Sequence, residues 1–169
     1  MSAVTTKSTL LQHLEALPQV RDLPYAAGGK LRVLSAAVEV AAADDDGSIY
    51  ALCRIHSSDR LQGIYLLNDA IGAGTDYDVG LYKWTDGALG AVQNVNLFAD
   101  AVDMTSARKT ASYNALWTTL DWGANLGKRV WEMLGLSQDP GVYYVLCITA
   151  NTVGTVAGSL GVDVFVVKD

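Results

Sequence analysis

At 169 residues the chain is long enough for one domain with a full core, or for a domain plus an arm. Hydrophobic residues make up 50% and charged residues 18%, below the roughly 25% of charges usual in globular domains; this fits a tightly packed β-protein or a surface partly covered by a partner. The net charge of −6 leaves no basic footprint for nucleic acid, and no apolar run reaches the roughly 18 residues of a membrane span.

The first twenty residues, MSAVTTKSTLLQHLEALPQV, lack the charged start, long apolar stretch and small-residue cleavage site of a signal peptide, so synthesis in a cytoplasm is expected. Residues 8–17, STLLQHLEAL, place Leu10, Leu11, Leu14 and Leu17 on one helical face. Ser8 or Thr9 is placed to cap this helix and Pro18 to stop it. So short a helix needs a surface for its leucine stripe, either its own domain or a partner. The connector that follows, PQVRDLPYAAGGK, is rich in Pro and Gly and reads as extended chain. Residues 1–30 are therefore expected to be an arm and residues 31–169 the main domain.

From residue 31 the texture becomes β-like. LRVLSAAVEVAA (31–42) runs to an acidic turn, DDDG (44–47); SIYALCRI (48–55) and RLQGIYLLND (60–69) follow across the polar break HSSD. DYDVGLYKW (76–84) alternates and ends at Asp86-Gly87, a hairpin-type turn. VYYVLCITA (142–150) and SLGVDVFVV (159–167) are the last two strands, separated by the Gly-rich NTVGTVAG. Six or so short strands spaced by turn signals are the pattern of a sandwich or barrel. Between them, VNLFADAVDMT (95–105) reads as loop or short strand and SYNALWTTLDW (112–122) has no clear period. NLGKRVWEMLGL (125–136) has Leu126, Val130, Trp131 and Leu134 at helical spacing, with Gly135 as its stop.

The residues capable of chemistry separate into structural roles. In GTDYDVGLYKWTDG (74–87), strand alternation sends Tyr77, Val79 and Leu81 to a core and Asp76 and Asp78 to water or an interface, while Asp86-Gly87 makes the turn. The DDDG run fails as a calcium loop, because its Gly comes too early and position 12 from Asp44 is Ile55. His13 and His56 have no Cys or second His at zinc spacing. Cys53 and Cys147 lie in apolar runs and read as buried free thiols. Gly154, Gly158 and Gly161 precede a strand and not a helix, so they form no phosphate loop. No catalytic, metal or cofactor site is expected.

Several segments, AAADDDGSIYALCRI (41–55), NDAIGAGTDYDVGLY (68–82), LFADAVDMTSA (97–107), GKRVWEMLGLSQDP (127–140) and VLCITANTVGTVAGSLGV (145–162), resemble in order a family of tailed-phage head proteins described as decoration, cement or capsid-stabilising proteins. The resemblance covers roughly residues 31–165. It implies a mainly β chain: a jelly-roll-like antiparallel β-sandwich with an N-terminal arm and one or two short helices. It also implies a non-enzymatic protein on the outer surface of a virion, bound to the phage major capsid protein and to itself as a homo-oligomer, with a dimer favoured. Partner binding is then expected from Leu10, Leu11, Leu14, Leu17 and Tyr25. A carbohydrate- or receptor-binding module of a spike or fibre is the rival reading, on the strength of the aromatics Tyr50, Tyr65, Tyr82, Trp84, Trp117, Trp122, Trp131, Tyr143 and Tyr144. A hydrolase would need His13 or His56 hydrogen-bonded to both a nucleophile and an acid.

Overall fold

The computed structural model describes residues 4–16 and 31–168. Through them run nine strands: β1 (Thr5–Lys7), β2 (Leu31–Val40), β3 (Ile49–His56), β4 (Arg60–Asn68), β5 (Asp76–Thr85), β6 (Ala88–Val102), β7 (Arg108–Asn114), β8 (Tyr143–Thr152) and β9 (Gly158–Val167). Three short helices join them, α1 (Thr9–Glu15), α2 (Trp122–Asn125) and α3 (Val130–Met133), with a single 3-10 turn at Ala115–Trp117.

The strands form two sheets, one in the order β1-β3-β8-β5-β6 and one in the order β2-β9-β4-β7. From β2 onward the pairing is nested: β2 with β9, β3 with β8, β4 with β7, β5 with β6, all antiparallel. This is one long hairpin of four strand pairs rolled onto itself, and the further pairs β4–β9 and β5–β8 close the two layers. The fold is thus a jelly-roll β-sandwich, as the family resemblance implies.

Alternation explains which side chains meet between the layers. On β9, Leu160, Val162, Val164 and Val166 are buried; on β5, Tyr77, Val79 and Leu81. They join Tyr50, Leu52, Ile55, Ile64, Leu66, Phe98, Leu146 and Ile148 in one core cluster. β8 is central and covered on both faces: Leu146 and Ile148 enter that core while Val145 and Cys147 enter a second cluster on the other face. A strand buried on both faces reads as a continuous apolar run, which is what VLCI shows.

Three elements differ from the sequence expectation. The chain before residue 9 adds a strand, β1, parallel to β3 with Thr5 opposite Ile49; TTK carries no strand signal of its own. Most of the segment expected as loop or short strand, 95–105, belongs to the 15-residue β6 (Ala88–Val102), set against ten residues of β5 through repeated register shifts. Its bulges hide the period. Gly80 makes room for them, because a Cβ there would lie 2.1 Å from the Asn94 carbonyl oxygen and 2.2 Å from that of Val95. Finally, the helix expected over 125–136 is reduced to the one turn of α3, Val130–Met133, with α2 already ending at Asn125. Gly127 takes a left-handed φ of 73°, and the N–H groups of Val130 and Trp131 donate to the carbonyls of Asp59 and Ser57 in the β3–β4 loop. Tertiary partners therefore replace the helical ladder. Gly135, with φ 70°, stops α3 as expected.

Candidate interaction surface

The acidic residues come first, because they decide whether chemistry is available. Asp76 is half-buried and accepts from the Asn151 side chain at 3.3 Å. Asp78 departs from the expectation of an aspartate facing water or a partner: it is 4% exposed and accepts the Ala101 N–H at 3.0 Å. The bulged β6 folds over it. Asp86 and Gly87 both have positive φ, 53° and 80°, the backbone of a tight hairpin turn. In the DDDG turn, Asp44 accepts from the Ala41 N–H and from the Tyr50 hydroxyl at 2.8 Å, while Asp46 accepts the Val153 N–H at 2.9 Å. These carboxylates are tied to backbone and side-chain donors of their own turns and of neighbouring strands. Among the described residues no three His, Cys, Asp or Glu side chains are grouped as metal ligands.

Among the described residues His56 and Ser57 do not share a nucleophile–base–acid relay. His56 Nδ1 lies 2.8 Å from Ser58 Oγ, and its ring meets Tyr143 edge-on at 4.7 Å. Ser57 is buried and donates instead to Asp139, whose carboxyl that bond and the Gly141 N–H hold below the ordinary carboxylate range. The thiols are buried, and burial pushes Cys53 up to about 12 and raises Cys147 well above its ordinary value, away from the thiolate form. They face opposite sides of the five-stranded sheet, in separate clusters.

The arm is joined to the domain. Ser8 caps α1 by accepting the Leu11 N–H at 3.2 Å, and its own hydroxyl donates to the Leu52 carbonyl. Leu11 is 0% exposed and packs with Ala51, Tyr82, Val145 and Cys147 on the outer face of the five-stranded sheet. Of the two surfaces open to the stripe, Leu11 uses its own domain. The side chains of Leu10 and Leu14, and Leu17 and Tyr25 altogether, lie outside the described residues.

The aromatics divide in the same way. Tyr50, Tyr82 and Tyr144 are buried; Tyr65 pairs edge-on with Phe165 at 5.5 Å on the outer face of the four-stranded sheet. Among the described residues the exposed rings are Trp122 at 63% and Tyr143 at 37%. Tyr143 belongs to a stack that the sequence reading missed. Arg54 lies over its ring at 4.2 Å from the centroid and over Trp84 at 5.1 Å. The three residues come from β8, β3 and β5, and only the register of those strands brings them together. On the other sheet a groove of ≈ 430 Å³ runs past Ala37, Gly161 and Leu67 to the Lys109–Asp69 ion pair. That pair and the Ser159 N–H hold Asp69 down at about 2.

With this geometry in hand, the fold matches two solved structures. One is a chain in the structure described as the capsid of Ralstonia phage GP4, at a TM-score of 0.60 and 14% identity over 98% of this chain and 98% of that one. The other is a chain in the cyanophage Pam1 capsid asymmetric unit, at a TM-score of 0.48 and 14% identity over 89% of this chain and 93% of that one. No family model matches the sequence, and no curated protein matches it. At this identity the likeness is one of fold.

Proposed function

We propose that the chain is a structural protein of a phage capsid, which binds the outside of the assembled shell and stabilises it by bridging neighbouring subunits of the major capsid protein. The observation that carries this reading is the likeness of fold, end to end, to a chain of the Ralstonia phage GP4 capsid. The engagement of Asp44, Asp78 and His56 with neighbouring groups, and the burial of both thiols, are consistent with it. The physical mechanism is mass action: a protein that binds the assembled shell and not its separated subunits adds its binding free energy to the shell, once per copy. Pairing of copies would let one dimer reach two neighbours. In the arm, Leu11 fastens α1 to the body, and Leu10, Leu14, Leu17 and Tyr25 are the residues proposed to reach the capsid.

The test is cosedimentation with emptied heads lacking the protein, followed by heating of the heads. Saturable binding, with heads surviving to higher temperature, supports cementing. A soluble protein that leaves the heads unbound and unprotected overturns it. The exposed ring of Tyr143 beside Arg54 and His56 favours one other reading, a carbohydrate- or receptor-binding module. Binding to arrayed glycans without binding to heads would select that alternative.

A further inference from the structure

Arg54 is the outward-facing cation on the β3–β8–β5 part of the five-stranded sheet. Its guanidinium lies between two rings, Tyr143 and Trp84, and is half-buried. A guanidinium carries five N–H donors in a planar fork. Among the described residues Arg54 gives none of them to a carbonyl or carboxylate, and it forms no ion pair. This sets it apart from Arg108, which also stacks on a ring, Tyr113, but donates to the Asn68 side chain and the Asp103 carbonyl.

Stacking holds the plane of the Arg54 fork and strips water from its faces, so less order is lost when its edge meets an acceptor. The groups beside it are mostly apolar: Val145 and Tyr82, in register with Arg54 on β8 and β5, are buried and packed with Leu11 of α1, while His56 meets the edge of Tyr143. A cation amid Tyr, Trp and aliphatic side chains has the composition of the centre of a protein–protein interface. Two other ligand classes fit less well. A sugar needs an open ring face to stack on, and each of these rings already gives a face to Arg54. A polyanion such as nucleic acid is disfavoured by a chain of net charge −6.

We propose that the Trp84–Arg54–Tyr143 stack is the anchor for an Asp or Glu side chain of a partner protein, taken in a bidentate bond by the edge of the guanidinium. The stack stands on its own geometry; only the naming of that partner as a capsid neighbour rests on the function proposed above.

The test is an NMR titration of the full chain, following the Arg54 Nε–H and Trp84 indole N–H resonances. The probe is a blocked tripeptide with a central glutamate; the controls are the matching glutamine peptide, inorganic phosphate and sialyllactose. The expected result is a saturable shift of both resonances with the glutamate peptide and none with the glutamine peptide. Arg54→Lys should lose the Trp84 response while keeping the thermal midpoint of the parent, because Lys is a point charge without the fork. No shift with the glutamate peptide overturns the proposal, as does a stronger response to phosphate or sialyllactose. On emptied heads, Arg54→Gln should weaken binding tenfold or more. A peptide response in a protein that leaves heads unbound would keep the anchor and discard the capsid as its partner.

Discussion

Asp78 Oδ1 accepts the backbone N–H of Ala101 at 3.0 Å, across a register shift between β5 and β6. Ala101 has a left-handed φ of 54°, which turns its N–H out of the β5–β6 ladder and leaves the carboxylate to receive it. Asp78 is 4% exposed and its bond to Ala101 is half-buried, so removing the acceptor loses a hydrogen bond to a charged group, at a cost of roughly 1.5–3 kcal/mol. Asp78→Ala should therefore lower stability by about that amount in urea unfolding. Asp78→Asn keeps an acceptor oxygen and should stay within about 1 kcal/mol of the parent. Equal losses in the two variants would mean that charge, and not this bond, is what Asp78 contributes.

Gly80 and Gly87 are both glycines of the β5–β6 hairpin, but for different reasons. At Gly87 a Cβ would meet nothing within 4 Å, and only the φ of 80° resists substitution; Gly87→Ala should cost about 1–2 kcal/mol. At Gly80 the Cβ would collide with two backbone carbonyls of β6. Backbone cannot rotate away as a side chain can, so Gly80→Ala should cost at least ~3 kcal/mol, above the usual range for overpacking. Thermal unfolding of the two variants side by side checks the order. A mild Gly80→Ala would mean that β6 can slide.

Much of this architecture was legible because burial leaves a period. SLGVDVFVV and DYDVGLYKW alternate, and β9 and β5 occur where they alternate. β6 was not legible, since each bulge resets the phase of the pattern, and neither was the break at Gly127, where β3–β4 loop carbonyls capture the N–H groups of a helical-looking segment. At the candidate surface the difficulty is of another kind. Arg54, Trp84 and Tyr143 are thirty or more residues apart in sequence, and only the register that pairs His56 with Tyr143 and Lys83 with Tyr144 makes them neighbours. Arg54 alone gives no signal. The leucine stripe was legible as a stripe, but helical spacing cannot say which surface receives it.

Leu11 makes that last point testable. It is 0% exposed against Ala51, Tyr82, Val145 and Cys147, and α1 has only seven residues, too few to persist undocked. Truncating a fully buried leucine costs roughly 2–5 kcal/mol. Here the loss should appear as release of the segment from β1 to α1 before the sandwich unfolds. Leu11→Ala should raise hydrogen exchange and protease cutting at residues 4–16 by at least tenfold, with exchange in β8 and β9 unchanged. If β8 exchanges faster as well, the arm is part of the cooperative unit.

The buried thiols and phenols are expected to set the alkaline limit of the fold. Burial pushes Cys53 up to about 12 from an ordinary value of 9.0. Cys147 moves the same way, by burial first and then by the neighbouring Cys53. Tyr50 is raised too, by burial and then by its bond to Asp44. In each case the folded state holds a proton that the unfolded chain gives up at lower pH. The contribution to stability is therefore complete below the unfolded pKa and is lost as pH rises toward the folded one. Stability should be flat with respect to these thiols below pH 9 and fall between about 9 and 12. Cys53→Ala and Cys147→Ala remove one titrating group each. Both should lower stability at neutral pH through lost packing, yet flatten its alkaline decline, as measured by urea midpoints at pH 8 and pH 11. A decline unchanged in the double variant would assign the alkaline limit to Tyr50 and the other buried phenols.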